Sequence, residues 1–577
     1  MNTDVFTGKN GFFFASIGGS DQIGLNCLLY VCDGKILIVD MGVGFPDNMP
    51  GVQVIVPDLG YIFSRKNQVL GLIITHIHED HCGALPYLLK YFPELKIYST
   101  NFTLNFIQAK LDESGYKEKI NTVEVKDFEV LRLGKDTNEE NDESGFDVEF
   151  VGLTHSTIDM MGLYIKTRYG TVFHTGDWKF DDIPVVGSPI NRDRLKSIGD
   201  KGVTAMICDS TNVMVHGHSK SEGSLTDEFE RVIRNAKNRI IITLFASNVG
   251  RIATILSIAN KLGKKVCLVG RAVARVVNAA IDSGYLEEFP GNLMINEVEA
   301  NQFRPEELII LCTGCQAEPL AALTKIVSGR HRHLKFSESD TVVFSSKVIP
   351  GNERRVFDLY NHICRHNAIL ITHETNPIHV SGHPARDELK EMYSLIRPKV
   401  AIPVHGEDLH IREHTKFALD VCKVSRVVTV HNGDVVQIDG ENSCVVNEIR
   451  SGFLCVDGKL FRRAHDPVLK TRKKIMEDGI LVIFLSFAKM NKKTEDGKMT
   501  SENRVRANIF APGLLDEAND KSIMNDLINK LQRELSSTVD DKDRKDSFSY
   551  IALNIAKKLC KNRLGKDPII KVHIDFE

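Results

Sequence analysis

Thr75-His76-Ile77-His78-Glu79-Asp80-His81-Cys82-Gly83 decides how this chain is read. It follows the apolar run Leu70–Ile74, which reads as a buried strand ending where the polar residues begin, and Ala84 to Tyr91 reads as a helix after it. A turn between strand and helix holds its side chains rigidly and still lets them face a cleft. Three imidazoles and a carboxylate within six residues are too many polar groups to bury for packing alone. Neutral imidazole nitrogen and carboxylate oxygen suit a borderline cation such as zinc, and this crowding implies two ions rather than one.

Three more residues repeat the arrangement of a strand that ends in small residues. They are His155 in Gly152-Leu153-Thr154-His155-Ser156, Asp177 in His174-Thr175-Gly176-Asp177, and His405 in Ile402-Pro403-Val404-His405-Gly406. A carboxylate offers two oxygens, so Asp177 can bridge two cations. Seven candidate ligands result: His76, His78 and His155 on one ion, Asp80, His81 and His405 on the other, and Asp177 between them. Each ion then keeps a position for a bridging hydroxide.

The rest of the chain sets bounds. At 577 residues and 64.6 kDa it exceeds one core, and a prior of ~150 residues per domain implies three or four units. Composition, 42% apolar and 26% charged, is that of a soluble globular protein. No apolar run approaches the ~20 residues of a membrane span, and the first residues lack a basic-then-apolar signal, so no membrane partner and a cytoplasmic location are expected. Twelve cysteines show no disulfide framework, which implies thiols in a reducing compartment; Cys312 and Cys315 form a CxxC with no second pair at zinc-ribbon spacing. A net charge of −3 argues neither for nor against nucleic acid, because a basic channel can hide within a neutral total. Two basic stretches, 330–335 and 462–474, read equally well as solvated faces.

Short β-type runs with turns occupy residues 11–75 and 148–208, and 138–144 reads as an acidic loop tip. From about 225 helix and strand alternate, as in βαβ units on a parallel sheet. Strands carrying histidines return from 369. The expected division is 1–215, an inserted block at 216–368, a return at 369–445, a linker at 446–474 and an α/β end domain at 475–577.

The order HxHxDH, isolated His, Asp and late His resembles the metallo-β-lactamase superfamily, which implies an α/β fold built as an αββα sandwich. The 228 residues from Asp177 to His405 leave room for an inserted α/β domain, similar to the β-CASP branch that acts on nucleic acids. Asp209-Ser210-Thr211-Asn212 and Ile378-His379-Val380-Ser381-Gly382-His383 are similar to further motifs of that branch. The whole chain resembles ribonuclease J through Gly18-Gly19, Ile23-Gly24-Leu25-Asn26, Thr313-Gly314-Cys315-Gln316-Ala317-Glu318-Pro319, Ile349-Pro350-Gly351-Asn352-Glu353 and a small C-terminal α/β domain.

The resemblance implies a metal-dependent ribonuclease, a 5′→3′ exonuclease with some endonuclease activity, working in RNA maturation and decay, rRNA processing included. Its substrate is single-stranded RNA with a 5′-monophosphate end, and its cofactors are two Zn2+ per chain, with Mn2+ or Mg2+ as alternatives. A homodimer or homotetramer and RNA-decay partners are also implied. The chemistry expected is a two-metal displacement at phosphorus by a hydroxide whose pKa coordination lowers toward ~7. His383 is the expected acid for the leaving 3′-oxygen. Asp209 orients His383 or a ligand, Asp80 belongs to the catalytic set as well as the ligands, and Asp40 orients a ligand from behind.

His379, Val380, Ser381, Gly382 and His383 form the expected end-phosphate loop, with the Ser381 hydroxyl and Gly382 amide as donors. Relatives place a second serine two positions after His383, where this chain has Pro384-Ala385, and Arg386 is the expected substitute. Ser247, in Phe245-Ala246-Ser247-Asn248, matches a segment that lies against nucleic acid; a strand-to-helix turn capped by Ser247 or Asn248 explains it equally. The alternative reading is a β-CASP nuclease that acts on DNA or only cuts internally.

Overall fold

Short apolar runs in the first 210 residues, joined by later strands from 400–448, build two sheets that face each other. The computed structural model describes residues 10–46, 49–135, 144–493, 499–536 and 544–576. One sheet orders its strands as Cys444–Glu448, Asp434–Gln437, Phe12–Gly18, Cys27–Cys32, Lys35–Val39, Val69–Ile73, Lys96–Ser99 and Asn121–Glu124. The other runs Arg426–Val427, Val400–Val404, Ala205–Asp209, Gly170–His174, Met160–Thr167, Phe146–Leu153 and Val130–Leu133.

Alternate residues of each sheet meet in one core: Phe12, Phe14, Leu28, Tyr30, Leu37 and Val39 against Val148, Phe150, Leu163, Ile165, Ala205, Ile207, Val400 and Ile402. The opposite face of the second sheet, through Val151, Tyr164, Phe173, Met206 and Ala401, takes helices Arg192–Asp200, Arg386–Ile396 and Asp408–Asp420. On the first sheet, helices Leu85–Leu89 and Asn101–Ser114 cross between the parallel strands Val69–Ile73, Lys96–Ser99 and Asn121–Glu124. The layers form the αββα sandwich.

Between Asp209 and Val400 the chain leaves this sandwich and builds a third sheet. Its six strands are all parallel, in the order Met294–Ile295, Lys265–Val269, Leu308–Cys312, Ile240–Leu244, Thr341–Ser345 and Ile369–Ile371. The strands read as unbroken apolar runs such as IIITL and LIILC because helices cover a parallel sheet on both faces. Ile369–Ile371, expected in the returning part at 369–445, pairs with Thr341–Ser345 and belongs to this third sheet. The chain returns to the sandwich with helix Arg386–Ile396 and rejoins its sheet at Val400–Val404, parallel to Ala205–Asp209 with Asp209 opposite Val404. That register delivers His405 beside Asp209.

A second compact unit comprises 45–54 and 454–577. Its sheet orders Met499–Phe510, Ile480–Lys493 and Ile569–Phe576, and its core includes Leu481, Ile483, Leu527, Leu531, Phe548 and Ala552. The stretch 446–474, expected as a linker, holds the hairpin Phe453–Asp457 and Leu460–Arg463 and most of helix Pro467–Asp478. Its charge has a local use, since Arg462 and Arg472 both bond Asp457, at 2.5 and 2.7 Å. Residues 138–143 of the acidic tip lie outside the described residues. All twelve cysteines are free thiols, and burial pushes Cys315 up to about 12. No described helix is long and apolar enough to cross a membrane.

Candidate metal centre

The turn after Val69–Ile73 is shaped by backbone contacts that admit only glycine at one position. Met41 N and Val43 N donate to His81 O and Glu79 O, so the helix Glu79–Cys82 lies directly on Gly42. A Cβ on Gly42 would stand 1.6 Å from Asp80 O. Asp40 and His405 both adopt left-handed backbone, φ 63° and 55°, a conformation that non-glycine residues keep where surrounding structure imposes it.

His76, His78 and His155 form one cluster with Asp177. His76 Nε2 lies 3.0 Å from His78 Nδ1, and His155 Nε2 lies 3.1 Å from the same atom. The opposite nitrogen of each ring has its own partner: His76 Nδ1 meets Thr75 Oγ1 at 3.0 Å, His155 Nδ1–H donates to Gly382 O at 2.7 Å, and His78 Nε2–H donates to Ser247 Oγ at 3.0 Å. Three lone pairs therefore point at one spot. Tetrahedral donors ~2.0–2.1 Å from zinc stand ~3.3 Å apart, so the set fits one cation. Burial, reinforced by neighbouring imidazoles, holds His76 and His155 well below their usual range and lowers His78 to about 4. These rings are neutral and ready to ligate.

Asp80, His81, Asp177 and His405 form the second cluster. His81 Nε2 is 3.1 Å from Asp177 Oδ2, while its Nδ1–H donates to Asp40 Oδ2 at 2.7 Å. His405 Nδ1 is 2.8 Å from Asp177 Oδ1 and its Nε2 is 3.3 Å from Asp80 Oδ2, yet neither nitrogen has hydrogen-bond geometry. Buried nitrogens orphaned beside carboxylates are what a cation would satisfy. Burial opposes charge on His405, but Asp177 outweighs it and raises the ring to about 10. Asp177, which is buried, and Asp80, which is partly exposed, lie among His81 and His405 and are held well below the usual carboxylate range. Here a cation would replace those protons.

Asp40 is fully buried and also accepts from Thr75 N at 2.8 Å and Thr75 Oγ1 at 2.9 Å. It thus fixes the tautomer of His81 and the turn that carries His76. Asp40→Asn is expected to lower metal affinity about 10–100-fold while the fold persists, as loss of a partner behind a ligand does. Competition with a chelator reads this out, and unchanged affinity would remove Asp40 from the metal centre.

His383 sits at the rim, 5.0 Å from His155 and 5.7 Å from His405 between ring centroids. Its Nδ1–H donates to Asp209 Oδ2 at 2.7 Å, and Asp209 Oδ1 accepts from Thr211 N at 2.8 Å. Asp209 therefore directs His383. Asn212 Nδ2 donates to Ser381 Oγ and to His383 O, at 2.8 and 3.0 Å, so the hydroxyl hydrogen of Ser381 stays available. Val380 is buried at its side chain. Gly382 lets the loop touch His155, since a Cβ would stand 2.7 Å from its ring.

The Ser247 hydroxyl, expected on nucleic acid, accepts from His78 Nε2–H at 3.0 Å, while Asn248 caps helix Val249–Lys261 by accepting from Arg251 N at 2.9 Å. Arg386, expected to replace the missing serine, donates to Val213 O at 2.6 Å and lies over the Phe417 ring, drawn off by the sandwich core. Sequence reasoning missed Glu388, which has no signal in a helical first turn. It is fully buried and accepts from Ala385 N, Ser219 N and Phe180 N, at 2.8, 2.7 and 2.8 Å, which staples the 383–388 loop in place. A cavity of about 310 Å³ opens beside His155, lined among others by Asp181, Glu222, Asn248 and Tyr285.

Residues 23–199 match the metallo-beta-lactamase superfamily, 237–363 the ribonuclease J beta-CASP domain, and 369–418 the Zn-dependent metallo-hydrolase RNA specificity domain. Ribonuclease J of Synechocystis sp. is 36% identical over 475 residues, 82% of this chain and 72% of that protein. The chain belongs to the ribonuclease J family. Ribonuclease J of Corynebacterium glutamicum is 34% identical over 551 residues, 92% of this chain and 74% of that protein, and that of Sinorhizobium meliloti 35% over 473, 81% of each. A structure of an Enterococcus faecalis protein of unknown function shares the fold, with a TM-score of 0.51 at 14% identity, over 74% of this chain and all of the other. The family's matched domains support a metal-dependent ribonuclease, and its fold is the metallo-β-lactamase sandwich with a β-CASP insert.

Proposed function

We propose that this ribonuclease J homologue degrades single-stranded RNA 5′→3′ from a monophosphate end, with some internal cleavage, at the centre formed by His76, His78, Asp80, His81, His155, Asp177 and His405. The carrying observation is the convergence of those seven side chains beside His383. Two Zn2+ ions, or Mn2+ or Mg2+, would be held there and would supply Lewis acidity to water and to phosphate oxygens.

The chain's own residues do the rest. Asp177 holds the two clusters in register, and Asp40 and Thr75 keep the HxHxDH turn rigid. His383, its Nδ1–H occupied by Asp209, offers its other nitrogen to the departing 3′-oxygen and gives it a proton. Asp209 thereby acts as a positioning residue. The 379–383 loop supplies the end-phosphate contacts: the free hydrogen of Ser381, the backbone of Val380 and Gly382, and His379. Ala385 offers no hydroxyl, so 5′-end selection rests on fewer donors than a second serine would give. A homodimer or homotetramer, RNA-decay partners and a cytoplasmic site of action complete the proposal.

Labelled RNAs that differ only in a 5′-monophosphate, triphosphate or hydroxyl test it. The monophosphate form is expected to disappear fastest, with mononucleotides among the earliest products. Equal rates for all three, with fragments but no mononucleotides, would favour the purely endonucleolytic alternative. Faster loss of the matching DNA would move the enzyme to the DNA-acting one.

A further inference from the structure

Arg251 occupies an unusual position for an arginine, only 1% exposed and at the junction of four segments. Its Nη2 and Nε donate to Glu222 Oε1 and Oε2 at 2.6 and 3.2 Å, and its Nη1 donates to Ser345 O at 2.8 Å. The same Nη1 lies 3.1 Å from His379 Nδ1. Asn248 Nδ2 adds a bond to Glu222 Oε1 at 2.9 Å, and Ser345 Oγ donates to Ile378 O at 2.7 Å. The guanidinium and the 378–379 backbone are thus locked to each other.

We propose that Arg251, anchored by Glu222, holds His379 as a neutral single tautomer whose Nε2–H is a fixed hydrogen-bond donor to the 5′-terminal phosphate. The inference rests on the reading of 379–383 as the end-phosphate loop. A guanidinium has donors and no acceptor, so only the lone pair of Nδ1 can face it. The ring proton is then confined to Nε2. A second proton on Nδ1 would set donor against donor beside a buried cation.

The other charged groups around His379 act in the same direction. Burial disfavours the imidazolium first, then Arg251, His373, Lys179 and Lys347 oppose it, and together they lower the ring to about 2. The nearby carboxylates are engaged elsewhere: Glu222 with Arg251, and Asp181 with Lys179 at 3.2 Å. The two loop histidines are therefore opposites. His383 is held toward its charged form by Asp209, and His379 is held neutral by Arg251. A neutral donor gives direction without the strength of an ion pair, which suits an enzyme that must release its RNA end at every step.

The test uses the full-length, metal-loaded protein and KM for 5′-monophosphate and 5′-hydroxyl RNA between pH 6.5 and 8.5. In the wild type, KM for the monophosphate RNA is expected to stay flat. In Arg251→Leu/Glu222→Gln the Nδ1 lone pair loses its donor, the ring proton is no longer confined to Nε2, and discrimination between the two RNAs should fall about three- to tenfold. Two single variants keep the question open to refutation should the double variant not fold. His379→Gln carries a neutral donor near Nε2 and should retain 5′-end discrimination within about threefold, whereas His379→Leu should lose it by about tenfold or more. Undiminished 5′-end discrimination in a folded double variant, or equal loss in Gln and Leu, overturns the inference. A wild type that does not distinguish 5′ ends would instead sink the end-phosphate reading beneath it.

Discussion

His78→Ala is expected to leave a folded protein with nuclease activity lower by about a thousandfold or more, since the Lewis acid and its orientation are lost together. The ring supplies the central lone pair of its cluster: both His76 Nε2 and His155 Nε2 lie within 3.1 Å of its Nδ1. Removing it leaves two neutral imidazoles and a shared carboxylate, too few to close a tetrahedral site. Elemental analysis should show at least one equivalent of metal gone per chain. Circular dichroism should be unchanged, because the turn is held by Gly42 and Asp40 rather than by this side chain. A mutant that cleaves RNA at wild-type rate without metal would refute the catalytic role of the centre.

The second large effect belongs to His383→Ala. Metal content and RNA binding should persist, and single-turnover cleavage should slow about 10²–10⁴-fold, the usual worth of a positioned acid. Its pH dependence follows from the electrostatics. Burial opposes the charged ring, but the Asp209 carboxylate prevails and raises its pKa. An acid works while protonated, so the rate should hold at lower pH and fall as pH rises through that raised value. Asp209→Asn removes the carboxylate and should bring the alkaline fall to lower pH. An alkaline limb that stays put in Asp209→Asn would separate the two residues, and wild-type turnover in His383→Ala would discard the acid altogether.

Local sequence carried much of this. The seven clustered residues were legible because each stands at a strand end followed by Gly, Ser or a short helix, and apolar runs such as Lys35–Val39 and Thr341–Ser345 mark strands by composition. What hid were pairings decided by distant chain. Nothing in Phe245-Ala246-Ser247 announces that its hydroxyl meets His78, 169 residues away. Glu222 and Arg251 look like surface charges until burial pairs them. The sheet of Ile369–Ile371 is hidden because three apolar residues fit any parallel edge, and the arginines of 446–474 mask a hairpin.

The order in which the chain supplies its ligands bears on its synthesis. His405 emerges 228 residues after Asp177, roughly 11–46 s later at ~5–20 residues per second on the ribosome. Until the Val400–Val404 strand docks beside Ala205–Asp209, the nascent polypeptide lacks its last imidazole. The metal centre stays incomplete until translation of its own message has passed His405.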